Sequence, residues 1–378
     1  MAEWSYFTTD VRTGAVLADI SASDASFERA LSGSGEGRVT VTVPAGLLDF
    51  KAATEPVRCA LWAAADGVLM WGGIIWKREA SGTRAVSISA SEYGSYFDRR
   101  LVTRNATFTQ VDQLDIARSL VTTAQAVSGG DVRVVVGTET SGILRDRTYA
   151  GSDLASVASR LDELANVDKG FDYAWDPEYS NGLPRVRLSL GYPRLGSGEH
   201  LIEAESDAVA FGWPEDGSVM ALTAYAVGQV ADGAATGTAK PIQSVANADL
   251  LTQYPLVERM ESYDVSDPAV LGQHATADLA AYSAPVVAPT VTVPESLALN
   301  IGIRVGDVVR LRNSDPDVWP GMFDGSLRCV GLTYDASGGT VGLKLADRVL
   351  YGGRIPAESD LVDYLATLGR NVRALQTE

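Results

Sequence analysis

The sequence predicts a mainly β protein with an α+β insertion and a C-terminal helix. Three patterns lead to this prediction: alternating apolar and polar residues through the first hundred positions, helical apolar spacing between residues 112 and 164, and a leucine heptad pattern near the end. The chain has 378 residues, and single cores stop growing at roughly 250–300 residues. We therefore expect several domains.

The first predicted domain, residues 1–106, is a β unit. Val39, Val41 and Val43 alternate with threonines, and Asp66-Gly67 marks a hairpin ahead of the run from Val68 to Trp76. Further short alternations follow at roughly ten-residue spacing, which is typical of a small barrel or sandwich.

The second predicted domain, residues 107–205, is the α+β insertion. Asp112 is placed to cap a helix whose apolar face is Leu114, Ala117, Leu120, Val121 and Ala124. A second helix is predicted to start at Ser152 or Asp153, with Leu154, Val157, Leu161 and Leu164 on one face. Strands are expected at 171–175 and 186–190, which completes a compact α+β domain.

Beta character returns in residues 206–352, which we predict as a second, discontinuous β domain. Asp267-Pro268 supplies a cap and a first-turn proline for a third helix that extends to Tyr282. The assignment of residues 245–285 stays open between the insertion and the second β domain.

The last segment, residues 353–378, is predicted to be a helix. Its apolar residues are spaced by four and three positions, as in a coiled-coil seam: Leu361, Leu365, Leu368, Val372 and Leu375. We expect these five residues to contact partner subunits, although two heptads are also compatible with a helix that packs on its own chain.

Composition excludes several classes of function. The 31 basic and 48 acidic residues give a formal charge of −17, which disfavours binding to nucleic acid or to an anionic membrane. Two histidines and two cysteines, Cys59 and Cys329, offer little for a zinc site or a disulfide framework. No signal peptide or apolar run of about 20 residues is visible, so we expect a soluble protein that is made in the cytoplasm and has no membrane anchor. We also expect no cofactor.

Histidine-based catalysis is not expected. His274 is spaced to pair with Asp278 on the third helix, and His200 follows a glycine-rich stretch that predicts a solvated loop. The glycines at 33–37 do not open a helix after a strand, so a hairpin loop is favoured over a phosphate site. We predict no catalytic, cofactor-binding or metal-ligating residue.

Two alternatives remain open. Asp162-Glu163 and Glu203/Glu205 are neighbouring carboxylates that would suit a polysaccharide hydrolase. Four tryptophans would suit a carbohydrate-binding module if they were exposed, although strand and turn positions favour packing: Trp71, Trp76, Trp175 and Trp213. The structural interpretation is favoured over both, because close carboxylates arise by chance in so acidic a chain.

Several segments in this order resemble one family. They are the stretch 107–112, the run 149–154 leading into 161–165 and 171–173, the pair 254–259 and 266–268 ahead of the 275–282 helix, and the later stretches 304–309 and 323–330. Together with the order of β unit, α+β insertion, β unit and helix, they resemble the tail hub proteins of long-tailed bacteriophages, which lie at the tail tip or baseplate.

The resemblance implies a structural role in the virion. Hubs of this family are homotrimers in which each chain supplies two tube-type β-barrel domains, so that three chains match a six-fold ring above and a three-fold tip below. It implies the tail tube or distal tail protein, the tape measure protein and downstream tip or fibre proteins as partners. The hub surrounds the channel for DNA exit, and we expect its lining to be acidic or neutral because basic side chains would grip phosphate.

Overall fold

The computed structural model describes residues 2–43, 47–80, 84–165, 169–218, 220–230, 237–263, 268–317 and 319–347. The predicted C-terminal helix at 353–378 lies outside the described residues. Within them, strands far outnumber helices, and the prediction of a mainly β fold is confirmed. In this part of the chain no helix is both long and apolar enough to cross a membrane.

The elements before residue 105 are mostly strands. They are β1 (Trp4–Asp10), β2 (Val16–Ile20), β3 (Ala22–Ala30), β4 (Glu36–Thr42), α1 (Leu47–Ala53), β5 (Cys59–Ala65), β6 (Val68–Ala80), β7 (Ala85–Glu92) and α2 (Gly94–Phe97). The predicted hairpin is present, because Ala65 pairs with Val68 across Asp66-Gly67. The glycine-rich stretch at 33–37 connects the antiparallel strands β3 and β4 and continues into β4, as predicted.

The next elements alternate between helix and strand. They are β8 (Ala106–Asp112), α3 (Gln113–Ala126), β9 (Val134–Val136), β10 (Leu144–Tyr149), α4 (Val157–Ala165), β11 (Asp172–Ser180) and β12 (Leu183–Gly191). β8 pairs with β10, and β11, β12 and β9 form a second small sheet. This α+β region occupies the part of the chain where the sequence predicts the insertion.

The remaining elements return to β structure. They are β13 (Glu199–Glu203), β14 (Ala210–Gly212), β15 (Glu215–Asp216), β16 (Thr223–Val227), β17 (Ile242–Ala246), β18 (Glu258–Ser262), α5 (Pro268–Tyr282), β19 (Val286–Val287), β20 (Thr290–Pro294), α6 (Glu295–Ile301), β21 (Val308–Asn313), β22 (Phe323–Asp335) and β23 (Thr340–Asp347). The helix expected after Asp267-Pro268 is therefore confirmed as α5.

The chain forms two compact units. The first comprises the described residues up to Gly212 and those from Pro289 onward, and the second comprises Trp213–Ala288. The first unit holds a 13-stranded sheet with the order β14-β20-β23-β22-β3-β4-β7-β6-β5-β1-β2, and β13-β21 branches from β22. Because β22 pairs with β3, the early strands and the closing strands belong to one sheet.

The α+β region shares one apolar core with this sheet. Trp62 and Ile74 come from the sheet, Ile116 and Leu161 from α3 and α4, and Trp175 from β11, and all five are buried in the same cluster. Continuous burial of large side chains couples the two layers, because removing any one of them would leave a cavity.

The second unit is a small α/β layer. β16 lies between β17 and β18, and α5 packs on this three-stranded sheet. Ala226 from β16 meets Leu271 and Ala275 from α5 in its core. The small residues on both surfaces let the helix approach the sheet closely.

Asp112 caps α3 as predicted. Its carboxylate accepts a hydrogen bond from Leu114 N at 2.9 Å and also accepts from the backbone N–H groups of Ser141 and Gly142. Burial opposes ionisation, but the N–H groups of Leu114, Gly142 and Ser141 together lower the pKa of Asp112. The cap therefore fixes the start of α3 and the loop before β10.

The predicted start of α4 is wrong. The helix begins at Val157, and Ser156 Oγ accepts from Ser159 N at 3.0 Å, so Ser156 takes the capping role. Gly151–Asp153 form a 3-10 turn instead, and Leu154 adopts a left-handed conformation with 55% exposure. The chain reverses at Leu154, which removes that residue from the helical face.

We expect Asp112→Ala to lower the free energy of unfolding by about 1–3 kcal/mol, because it removes a helix cap and leaves loop N–H groups without their acceptor. A carboxylate whose pKa is lower in the folded state than in the unfolded state stabilises the fold fully above its unfolded-state pKa. This contribution is lost as the pH falls through its folded-state pKa. The difference from wild type in urea unfolding should therefore narrow below about pH 4.

The matched control for this cap is Asp19→Ala, at an exposed position of β2. Its effect should stay within about 0.5 kcal/mol. Equal effects of the two substitutions at neutral pH would contradict the capping role of Asp112.

Candidate functional site

The five predicted interface residues lie outside the described residues: Leu361, Leu365, Leu368, Val372 and Leu375. The described candidate site therefore consists of other features. They are buried ion pairs that join the α+β region to the sheet, and sheet edges that are open to further pairing.

The histidines have structural surroundings. The prediction of a solvated loop at His200 is wrong, because the parallel pairing of β13 with β21 places its Nε2 3.1 Å from Asp307 Oδ2. Asp307 also accepts from the backbone N–H groups of Gly198 and Arg304, each at 2.9 Å. In the second unit, His274 stacks on the ring of Tyr263, whose hydroxyl donates to Asp278.

The four carboxylates considered for hydrolysis are engaged in local contacts. Glu203 pairs with Arg312 at 3.4 Å, Glu163 pairs with Arg160 at 2.7 Å, and Asp162 accepts from the hydroxyl of Tyr173. Glu205 accepts from the backbone N–H groups of Ser314 and Asp315. Two of the four carboxylates are therefore in ion pairs, one accepts from a tyrosine hydroxyl and one accepts from loop N–H groups.

The four tryptophans considered for sugar binding do not form an exposed platform. Trp71 is buried and donates to the carbonyl oxygen of Glu28 at 2.8 Å, and Trp175 stacks on Phe97 at 5.2 Å. The guanidinium of Arg99 covers the ring of Trp76 at 4.0 Å. Trp213 is half-buried in the second unit.

Arg29 forms the first buried junction. Its Nε donates to the buried Glu92 at 2.7 Å, and its Nη2 donates at 2.6 Å to Asp176, whose side chain is 40% exposed. Arg29 lies on β3, Glu92 ends β7 and Asp176 lies on β11, so one guanidinium connects the sheet to the α+β region. Glu92 also accepts from Gly35 N at 2.8 Å, which fixes the loop before β4.

The electrostatics of the Arg29 junction are strongly coupled. Burial raises the pKa of Glu92 to about 7, although the charge of Arg29 and the N–H group of Gly35 favour the carboxylate. Burial also opposes ionisation of Asp176, but Arg29 and a hydrogen bond from Ser189 together lower its pKa. The two carboxylates raise the pKa of Arg29 despite its burial. A charge held this way is costly to leave without its partner.

Arg328 forms the second buried junction. It pairs with Asp172, and both side chains are less than 5% exposed. Arg328 also donates to the carbonyl oxygen of Leu195 at 2.9 Å, while Asp172 accepts from Leu195 N at 2.7 Å. Because Arg328 lies on β22 and Asp172 begins β11, this pair joins the closing strands to the α+β region.

Sequence reasoning did not identify either junction. A signal for the first was present, because Arg29 shares the inward face of β3 with Phe27, and Glu92 shares that of β7 with Ile88 and Ala90. Charged residues at core positions of alternating strands indicate a buried ion pair. The partner could not be identified, because Asp176 lies 147 positions from Arg29.

Three strands of the 13-stranded sheet leave an edge open within the described residues. β2 pairs with β1 alone, β13 with β21 alone, and β14 with β20 alone. Val16 on β2 is 54% exposed and Leu201 on β13 is 53% exposed. Such edges present N–H and C=O groups that accept a strand from another chain.

Metal and thiol chemistry have little support in this region. No group of three or more potential ligand side chains lies together in the described part of the chain. Cys59 and Cys329 are buried, and burial raises the pKa of both thiols. A thiol with a raised pKa is a poor nucleophile.

Comparison with known proteins adds a fold-level result. No protein-family profile matches the chain, and no curated protein matches it in sequence. Among solved structures, the 43 kDa tail protein of prophage MuSo2 from Shewanella oneidensis matches with a TM-score of 0.60 at 12% identity, over 94% of this chain and 99% of that one.

Two further tail proteins match along nearly their whole length. A tail protein from Neisseria meningitidis MC58 has a TM-score of 0.54 at 13% identity, over 91% of this chain and 97% of that one. Prophage tail protein gp18 from Listeria monocytogenes EGD-e has a TM-score of 0.52 at 10% identity, over 97% and 99%. The chain therefore has the fold of phage and prophage tail proteins, and the resemblance predicted from its sequence is confirmed at the level of fold.

We expect Arg29→Met to lower the free energy of unfolding by about 3–5 kcal/mol, because Glu92 would stay buried without its cation. Without Arg29, the pKa of Glu92 rises further above its unfolded value. A carboxyl group whose pKa is higher in the folded state than in the unfolded state stabilises the fold fully below its unfolded-state pKa. This contribution is lost as the pH rises through its folded-state pKa. The defect should therefore be larger at about pH 8 than at about pH 5.

Urea unfolding followed by tryptophan fluorescence measures this loss. The free energy of unfolding of the double variant Arg29→Met with Glu92→Leu should be about 1–3 kcal/mol higher than the sum of the two single effects gives. Arg310→Met is the matched control, because it breaks the exposed pair with Asp324. Its cost should not exceed about 1 kcal/mol. An additive double variant would contradict the coupling of Arg29 to Glu92.

Proposed function

We propose that this protein is the structural hub at the tip or baseplate of a bacteriophage tail and that it works as a homotrimer. The observation that supports this most strongly is the likeness to phage tail proteins, which extends over nearly the whole chain and nearly the whole of each match. Almost every described element is therefore part of the tail-protein fold.

The sheet topology supports an adaptor between two symmetries. β1–β7 form one run of strands, β20–β23 form another, and the β3–β22 pairing connects them within one chain. We propose that these runs belong to two tube-type barrels, so that three chains present six similar units to the tail tube or distal tail protein and three equivalent ends to the tip or fibre. The open edges at β2, β13 and β14 offer a means for neighbouring chains to pair.

We retain the predicted organisation as part of this proposal. The first barrel is 1–106, the insertion is 107–205, the second barrel is 206–352 and the helix is 353–378, with the assignment of 245–285 to the insertion or to the second barrel left open. The helix carries the proposed partner interface through the seam from Leu361 to Leu375.

The charge of the chain fits a channel for DNA exit. At −17, the protein has no overall attraction for phosphate. An acidic or neutral lining lets DNA slide, whereas a basic lining would add binding steps. We propose the tape measure protein as a further partner inside this channel, with no specific binding to nucleic acid.

A structural rather than catalytic role fits the charged residues. The carboxylates that suggested a hydrolase are engaged in ion pairs or in hydrogen bonds within the chain, and the buried Trp71 and Trp175, which suggested a sugar-binding module, pack in the core. We therefore propose that the protein is non-enzymatic and resides in the virion.

Light scattering of the purified full chain tests the oligomeric state. We expect a mass of three times the 40.0 kDa chain. A head-to-tail interface whose rotation closes gives a ring in which each chain contacts two neighbours. Because a chain must break both contacts to leave, we expect the trimer to persist on dilution. A monomer under all conditions would contradict the hub.

Deletion of residues 358–378 tests the predicted helix. We expect the trimer to dissociate at concentrations where the full chain stays associated, because the apolar seam would be lost. Leu365→Asp with Leu368→Asp should act like the deletion, whereas Thr367→Asp with Ala374→Asp, which lie off the seam, should not. Unchanged mass and unchanged virion incorporation after the deletion would show that the helix has no such role.

A further inference from the structure

The loop between β21 and β22 exposes the two most solvent-accessible large apolar side chains in the described part of the chain. Trp319 is 67% exposed and Met322 is 75% exposed. Neither side chain packs in the core, and exposed tryptophan and methionine are typical of contact surfaces rather than of solvated loops. These two residues lie within four positions of each other, so that together they form one exposed apolar tip.

The base of this loop is held in a fixed geometry. Asn313 is 2% exposed, and its Nδ2 donates to the carbonyl oxygens of Asp315 and Gly321, so it closes the loop from inside. Glu205 accepts from Asp315 N at 2.8 Å, which ties the loop to the segment after β13. An apolar tip on a braced loop loses little conformational freedom when a partner binds it.

The charge around the tip is negative. Asp315 and Asp317 flank the tip, and the described part of the loop carries no basic residue. The nearest arginines on the flanking strands, Arg310 and Arg312, are paired with Asp324 and Glu203. A surface of this kind repels phosphate, so that neither DNA nor an anionic membrane is a matching occupant.

We propose that this loop, at residues 314–317 and 319–322, is a docking prong whose Trp319 and Met322 enter an apolar pocket with a Lys/Arg rim on a different protein of the tail. This inference rests on the proposed hub function and assigns one of its contacts. Tryptophan is the residue most enriched among binding hot spots, and the aspartates would meet the basic rim. A second copy of the chain, which is acidic overall, is the alternative occupant that the cross-link described below distinguishes.

Incorporation into particles tests the prong. Particles are produced with the wild-type chain, with Trp319→Ala plus Met322→Ala, and with the control Val68→Ala plus Val209→Ala at two comparably exposed positions. The amount of this chain per particle should fall on the order of tenfold or more in the first variant and stay unchanged in the control. Purified variant and control should both keep the wild-type mass and unfolding midpoint, because the altered side chains are exposed.

The charge of the rim is tested separately. Asp317→Lys should reduce incorporation, whereas Asp317→Glu should not. The photoreactive residue p-benzoylphenylalanine at position 319 should form a cross-link to a basic, apolar peptide of another tail protein. Normal incorporation of the Trp319/Met322 variant, or a cross-link to a second copy, to lipid or to DNA, would overturn the prong. Absence of the wild-type chain from particles would instead overturn the proposed hub function and this inference with it.

Discussion

The buried charge of Arg29 is the constraint on which the rest of the first unit depends. A guanidinium in the core is tolerated only where carboxylates and carbonyl groups meet its N–H donors. Glu92 and Asp176 do so from two different layers, and β3 itself pairs with β22, with Arg29 opposite Leu332. The early strands and the α+β region therefore have to be in register before this charge is satisfied, and the pairing of β3 with β22 attaches the closing strands to them.

This arrangement suits a part that bears load. The Arg328–Asp172 pair connects β22 to β11, as Arg29 and Asp176 connect β3 to β11. The shared core around Trp62 and Trp175 fills the space between the layers. Close-packed interiors transmit strain instead of absorbing it. The proposed hub function would need such stiffness within each chain and contact surfaces toward its neighbours, for which the open sheet edges and the braced apolar loop are suited.

Local chemistry explains which parts of this fold could be predicted. The Asp112 cap, the hairpin at Asp66-Gly67 and the start of α5 depend on a few adjacent residues, and each was predicted correctly. His200 was assigned wrongly because its partner Asp307 lies 107 positions away and reaches it only through strand pairing. The Arg29 and Arg328 junctions were not predicted for the same reason, because their partners are also distant in sequence. The exposure of Trp319 depends on a loop geometry that its neighbours in sequence do not define.

A cryo-EM map of the intact particle tests the central claim most directly. We expect three copies of this chain at the tip of the tail, with β1–β7 and β20–β23 of each copy in two adjacent barrels of one six-unit ring. We expect the lining of the channel to be acidic or neutral. A map with one barrel per chain, with the chain away from the tail axis, or with a lining made mostly of lysine and arginine would contradict it.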